Sequence, residues 1–231
     1  MRMPRYTLRS LMALVTMVAV AIAWMSSGYR RHQATGRDIR ALARLGCVFD
    51  LKPPARFSIE RWLPRHKVEG VSYHGELTGV RHYYGLGTET RTDEFINIVA
   101  RHPELRGVVV DGTQLSDSQA ARLLALPLQQ LSICECPIGG TLRAEASPTL
   151  TWLSFFRTRL DDHSLAALGS LPNVETLVLY RTRVSDRSIA HLASLPRLQS
   201  INLSRCQVTA DGAERLRRLR PDVKVAYRRL Q

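Results

Sequence analysis

The sequence predicts an α/β fold built by repetition, one short strand and one helix per unit, placed behind an apolar N-terminal segment. Three observations lead there. LPNVETLVLYRTRVSDRSIAHLAS (171–194) is followed at once by LPRLQSINLSRCQVTADGAERLRR (195–218), with apolar residues in matching slots. The L-x-L centre of each block alternates with period two, as a strand does when it turns one face to a core. Leucine and isoleucine then recur at helical spacing, as Ile189, Leu192 and Leu195 in one block and Leu165, Leu168 and Leu171 in the block before. One such unit cannot bury its apolar face alone. Stacked neighbours can, so the repetition itself supplies the core.

Composition sets the outer bounds. With 45% hydrophobic and 23% charged residues the chain is a folding protein rather than a disordered one. Its formal net charge of +13 is concentrated at the ends: residues 1–40 hold seven Arg and one Asp, and residues 205–231 hold eight basic and three acidic residues. A basic balance of this kind suits nucleic acid, but terminal clusters beside an apolar segment suit a membrane surface equally well. The four cysteines form no CxxC pair, and Cys134-Glu135-Cys136 lacks a second pair at zinc-ligand spacing, so neither metal nor cofactor is expected.

Residues 1–28 read as a basic stretch and a single-pass transmembrane anchor. Arg2, Arg5 and Arg9 precede an apolar run from Leu11 to Met25 that only Thr16 interrupts. Fifteen residues give roughly 22 Å of helix against a hydrocarbon thickness of about 30 Å. Leu8, Ser26, Ser27 and Gly28 extend the span if Arg9 snorkels outward. Trp24 and Tyr29 stand where interfacial aromatics belong. Ala21-Ile22-Ala23 also fits a signal-peptide cleavage site, which would make the mature chain a secreted one, but the apolar run continues past it. Arginines flank both sides almost equally and leave the orientation open.

Residues 29–67 read as a juxtamembrane helix, a cap and a connector. Ile39, Leu42 and Leu45 are helically spaced, Gly46 is placed to end that helix, and Cys47, Val48 and Phe49 suit a short strand. The stretch 51–67, with three prolines and five Lys or Arg, reads as a connector draped over the first repeat. Residues 74–91 (HGELTGVRHYYGLGTETR) break the period and read as a surface loop. Its GLG is not a dinucleotide fingerprint, because a third glycine and the strand–helix context are missing.

The repeat domain spans 68–231. Five blocks share L-x-x-L-x-L-x-x-[TC]-x-L, from Leu105, Val108, Val110, Thr113 and Leu115 through to Leu198, Ile201, Leu203, Cys206 and Val208. Val68, Val71 and Tyr73 in front, and Val223 and Val225 behind, read as weaker copies. The pattern resembles the leucine-rich repeat in its Thr/Cys-bearing, ribonuclease-inhibitor-like form, also found in F-box-adaptor arrays, from Val68 to Tyr227. That resemblance implies a right-handed solenoid, a horseshoe with short parallel strands on its concave face and helices on its convex face. The layout of Tyr6-Thr7-Leu8-Arg9, an apolar run and then ALARLG (41–46) is similar to bacterial membrane-anchored leucine-rich repeat proteins.

Each remaining slot has a structural reading. Where the strand bends inward, a small hydroxyl or thiol can satisfy buried backbone groups, so Cys136 and Cys206 are expected to be packed repeat cysteines. Cys134 points the other way and carries no such expectation. Asp117, Asp162 and Asp186 recur just ahead of each helix and are expected to be N-caps, with Asp211 displaced by one and Gly140 in the 128–138 block. Asp161-Asp162-His163 is then a cap beside an exposed first-turn histidine, not a catalytic group.

Function is expected on the strand positions between core slots, which in this family would face the concave side. Trp152, Ser154, Phe156 and Arg157 align with Thr176, Val178, Tyr180 and Arg181, and with Ser200, Asn202, Ser204 and Arg205. At a strand spacing of about 4.8 Å, Arg157, Arg181 and Arg205 form a ladder beside Trp152, Phe156, Val178 and Tyr180, with Arg159 and Arg183 toward the loop edge. Arginine beside aromatic rings is the usual composition of a protein-binding hot spot. The expectation is a noncatalytic, membrane-anchored interaction module whose partner is a protein of acidic or mixed character. The alternative is an anionic surface, nucleic acid or acidic lipid, bound through the basic termini, especially 215–230. The seven histidines form no HExxH and the chain has no GxSxG, so catalysis is not expected; His74, His82, Tyr83 and Tyr84 are the one cluster worth testing.

Overall fold

The computed structural model describes residues 35–52, 66–68, 71–73, 76–83, 89–143, 145–169 and 171–228. The apolar run 11–25 and the expected anchor lie outside these residues, and no helix among those described is long and apolar enough to cross a membrane. The chain divides into two compact units, 1–41 with 51–76 and 42–50 with 77–231.

Helix α1 (35–44) buries Ile39 and Leu42, and Leu45 is buried just beyond it. Gly46 ends it as expected: φ is 79° and its N–H donates to the Ala43 carbonyl at 3.0 Å. Strand β1 (Cys47–Lys52) follows. In the first unit β2 (His66–Val68) and β3 (Val71–Tyr73) pair antiparallel, with Val68 opposite Val71. These residues therefore do not form the expected first copy of the repeat.

That copy lies in the segment expected to be a loop. Residues 76–83 form β4 (Glu76–Tyr83), which pairs in parallel with β5 (Gly107–Asp111), Val80 beside Val108 and His82 beside Val110. The pattern is disguised because His82 stands in an aliphatic slot and glycines occupy positions 85 and 87, where Thr or Cys and an aliphatic residue would continue it. Helix α2 (Glu89–Ala100) follows and buries Phe95, Ile96, Ile98 and Val99.

From there each unit adds one strand. The strands β6 (Gln130–Cys134), β7 (Trp152–Phe156), β8 (Thr176–Val178), β9 (Ser200–Asn202) and β10 (Lys224–Ala226) extend an eight-stranded sheet ordered β1-β4-β5-β6-β7-β8-β9-β10. All six pairings from β4 to β10 are parallel. Register follows the sequence slots: Val108, Leu131, Leu153, Leu177, Ile201 and Val225 are successive partners. Among them Leu131, Leu153, Leu177 and Ile201 are fully buried, as are Val110, Ile133, Phe155, Leu179 and Leu203 in the next column. Helices α3 (Asp117–Leu124), α4 (Asp162–Ala167), α5 (Ile189–Ala193) and α6 (Ala210–Leu219) contribute Leu123, Leu165, Ile189, Leu192 and Leu216 to the core. The described residues between β6 and β7 form no helix. Pro137, Gly139, Gly140 and Pro148 interrupt any helical run, and a Cβ at Gly139 would fall 2.4 Å from the Arg159 backbone.

The Thr/Cys slot behaves as expected at most turns. Thr113, Cys136, Thr158, Thr182 and Cys206 are all buried. Thr182 Oγ1 donates to the Leu179 carbonyl at 2.9 Å and lies 3.3 Å from Cys206 Sγ; Cys136 Sγ lies 3.5 Å from Thr113 Oγ1 and donates to the Cys134 carbonyl at 3.1 Å. Thr158 Oγ1 is buried without a partner among the described residues.

The helix caps sit one residue earlier than expected, and two earlier in the last turn, where Thr209 rather than Asp211 is the cap. Ser116, Asp161 and Thr209 before α3, α4 and α6, and Ser185 before a 3-10 turn (Asp186–Ser188) that leads into α5, are the last extended residues, and their side chains accept the first free helical N–H groups. The next residue, an Asp in three of these turns, reaches across to the following turn instead. Asp117 accepts from the N–H of Gly139 at 2.7 Å and from the N–H and hydroxyl of Thr141. Asp162 accepts from Ser185 N–H at 2.8 Å and from the hydroxyls of Ser185 and Ser188. Asp186 accepts from Thr209 N–H at 2.8 Å and its hydroxyl at 2.7 Å. The recurrent aspartate is thus a clamp between units rather than a cap within one.

Candidate functional site

The strands end in a shared backbone device. Gly112 (φ 61°), Glu135 (φ 50°), Arg157 (φ 55°), Arg181 (φ 53°) and Arg205 (φ 60°) all adopt the left-handed conformation, one residue before the Thr/Cys slot. Each donates its N–H to a carbonyl of the next turn: Gly112 to Cys134 at 3.0 Å, Glu135 to Phe156 and Arg157 to Tyr180 at 2.8 Å, Arg181 to Ser204 at 3.1 Å, and Arg205 to Arg228 at 2.7 Å. This twist takes the chain out of the strand and lets the following Thr or Cys point inward. A residue with a Cβ pays roughly 1–2 kcal/mol to be there, which glycine largely escapes. Three arginines therefore occupy a position where the backbone alone would favour glycine.

Around that column the side chains converge in part. The rings of Phe156 and Tyr180 stack with centroids 4.7 Å apart and planes 6° from parallel, and the Arg205 guanidinium carbon lies 5.8 Å from the Tyr180 ring centre. Both rings are half-buried, as is Val178, which partners Ser154 and Asn202 in register. Arg181 is exposed and has no carboxylate within ion-pair reach among the described residues. Arg159 and Arg183 are exposed in the next column. Trp152, half-buried in the row of Gln130 and Thr176, stands apart from the stack. It lies four positions along the strand from Phe156, about 13 Å. Ser154 and Ser204 are buried and offer little surface.

Two residues that the sequence reading did not single out complete the electrostatics. Glu135 fills the same left-handed slot as the arginines and pairs with Arg157, Oε1 to Nη1 at 2.5 Å. Its place directly before Cys136 is the signal that could have found it. Asp111 lies beside Cys134 in register, and its Oδ1 is buried without a partner among the described residues. Burial, and then the Glu135 charge, push its carboxyl above the ordinary range despite Gly112 and Arg157. The face is therefore polarised, acidic at Asp111 and Glu135 and basic at Arg181 and Arg205.

The thiols are quiet. Burial raises Cys136, Cys206 and Cys134, and pushes Cys47 up to about 12, so all four are protonated near neutrality and are poor nucleophiles or metal ligands. His163 is exposed, with Nε2 3.2 Å from Arg143, and Asp161 is occupied as the α4 cap. No group of three or more His, Cys, Asp or Glu among the described residues is arranged to hold a metal ion. An open depression lined by Gln114, Leu115, Ser116, Asp117, Pro137 and Thr141 follows the seam between two turns, its carboxylate already engaged by Gly139 and Thr141. At the basic C-terminal end, Arg217 donates to Val225 O, and Arg220 donates to the carbonyls of Ala193, Leu195 and Leu198 while pairing with Asp222. Those two arginines serve the fold. Arg215, Arg218, Lys224 and Arg228 remain exposed. His74 and Tyr84 fall outside the described residues, while His82 and Tyr83 lie on β4. No family model matches the sequence, and no curated protein matches it.

Proposed function

We propose that the chain is a leucine-rich repeat protein of the ribonuclease-inhibitor-like kind, its units winding as a right-handed horseshoe, and that it works as a noncatalytic interaction module. Its concave face captures a protein segment of acidic or mixed character, and residues 1–28 hold it at a membrane. The slot-for-slot register of the parallel strands and the Thr/Cys hydrogen bonds support the family reading. One observation carries the functional reading. Arg157, Arg181 and Arg205 occupy the left-handed slot at a backbone cost, beside a stacked pair of half-buried rings, so the side chain rather than the backbone accounts for the residue there.

The test is quantitative capture of partner from the membrane fraction of the source cells, comparing the full chain with Trp152→Ala/Tyr180→Ala/Arg181→Ala. Capture is expected to fall by about thirtyfold or more while the urea midpoint stays within the range of a surface substitution. Undiminished capture by the folded triple variant defeats the reading.

A further inference from the structure

The spacing of the arginine column selects the conformation of what it can hold. Successive rungs of a parallel sheet are about 4.8 Å apart, so Arg181 and Arg205 stand one rung apart. Along an α-helix, positions three and four apart lie on one face and rise about 4.5 to 6 Å. Along an extended strand, same-face residues come every two positions, about 6.6 Å. A helix laid across the strands stays in step with the column, whereas a strand laid the same way drifts off it.

The charges and rings restrict the occupant further. Arg157 is neutralised by Glu135, so the open positive charge lies at Arg181 and Arg205, flanked by exposed Arg159 and Arg183. The stacked Phe156 and Tyr180 give an apolar landing beside those cations. A second copy of the chain is a poor fit, because no exposed helix face among the described residues carries an excess of acid: Arg215 and Arg218 offset Asp211 and Glu214 on α6, Arg122 of α3 pairs with Asp93, and Arg91 offsets Glu94 on α2. The polarity of the face also sets direction. The negative C-terminal end of a helix dipole is favoured over Arg205, which has no carboxylate partner among the described residues, and its positive end toward Asp111.

Resting on the interaction reading above, we propose that this face takes an acidic amphipathic helix. It lies across the strands, with carboxylates three or four residues apart over Arg181 and Arg205 and an aliphatic side chain on the Phe156–Tyr180 stack.

The experiment is fluorescence anisotropy with the full chain in neutral-lipid nanodiscs. The probe is a labelled peptide of about four helical turns, Ala-rich, with Glu at i, i+4 and i+7 and Leu on the flank. A second peptide exchanges two central Ala for Pro, which keeps the charge and abolishes the helix. The helical peptide is expected to bind and the proline peptide to bind at least about tenfold more weakly. Arg181→Gly/Arg205→Gly, which removes the charges while suiting the left-handed backbone, is expected to weaken binding about thirtyfold. Arg197→Ala, which removes an exposed charge elsewhere, is expected to leave binding unchanged. Equal binding of both peptides overturns the helical inference and leaves the interaction reading standing. So does failure of both peptides while partner capture still depends on Trp152, Tyr180 and Arg181. Loss of both peptide binding and face-dependent capture overturns both. Sedimentation showing a dimer that dissociates in the double-glycine variant, or capture by phosphatidylserine vesicles in place of peptide, overturns the helix in favour of a second copy or a lipid surface.

Discussion

At the scale of single residues, the feature that separates fold from function is the left-handed slot. Gly112 fills it in the first full repeat with no steric conflict, whereas Glu135, Arg157, Arg181 and Arg205 fill it with a Cβ in the way. Arg181→Gly is therefore expected to raise stability by about 1 kcal/mol in urea denaturation while weakening partner capture. Arg181→Val is expected to lower stability, because a β-branched side chain is a poor fit to positive φ. A stabilised protein that binds less well is the pattern of a residue kept for its side chain. If Arg181→Gly destabilises the fold, the arginine is doing structural work. The slot was legible in the sequence as a position but not as a conformation, since a backbone dihedral leaves no mark when the residue is arginine.

At the scale of the element, the short helices are tied to one another through their first turns. Asp161 is held below the usual carboxylate range, chiefly by the Ser164 N–H it caps. For Asp162, burial works to raise the carboxyl, but hydrogen bonds from Ser185 and Ser188 outweigh it and the net shift is downward. A carboxyl lowered in the folded state contributes stability that is complete above its unfolded value, about 3.9, and is lost as pH falls through the folded one. The urea midpoint is thus expected to be insensitive to these groups above about pH 5 and to drop below about pH 4. Asp162→Asn is expected to cost about 1–2 kcal/mol at neutral pH, at the modest end because the carboxylate is partly in water, and to flatten that acid limb. An unchanged acid limb would remove Asp162 from the clamp. The sequence pointed to the right aspartates and the wrong partners. Spacing places an Asp before a helix but cannot say whether its carboxylate turns back to its own N–H groups or forward to the next turn.

At the scale of the whole molecule, one parallel ladder runs from β4 to β10, and each unit is held mainly by its neighbours. In the last turn one side chain, Arg220, adds three bonds to the β9–β10 ladder and the Asp186–Thr209 clamp. Arg220 lies beyond α6 and satisfies the carbonyls of Ala193, Leu195 and Leu198. Arg220→Ala is expected to cost about 2 kcal/mol and, by hydrogen exchange, to loosen α6 and β10 before β5 to β8. Uniform loss of protection along the array would show that the array unfolds as one unit. The same arginine shows why terminal basic charge is a poor guide to a partner: some of it is spent on cap carbonyls that a sequence does not reveal.

The chain's own letters determined the α/β repetition, the core slots and the parallel-compatible register, because burial every second strand residue and every third or fourth helical one is a periodic demand that any sequence meeting it must display. They also placed Phe156, Tyr180, Arg181 and Arg205 on one face. Tertiary structure alone decided three things: that residues 76–83 are the first rung, that the Phe156 and Tyr180 rings stack, and that Glu135 takes Arg157 out of the free cations. Each depends on contacts between residues on different turns, and such contacts carry no period of their own.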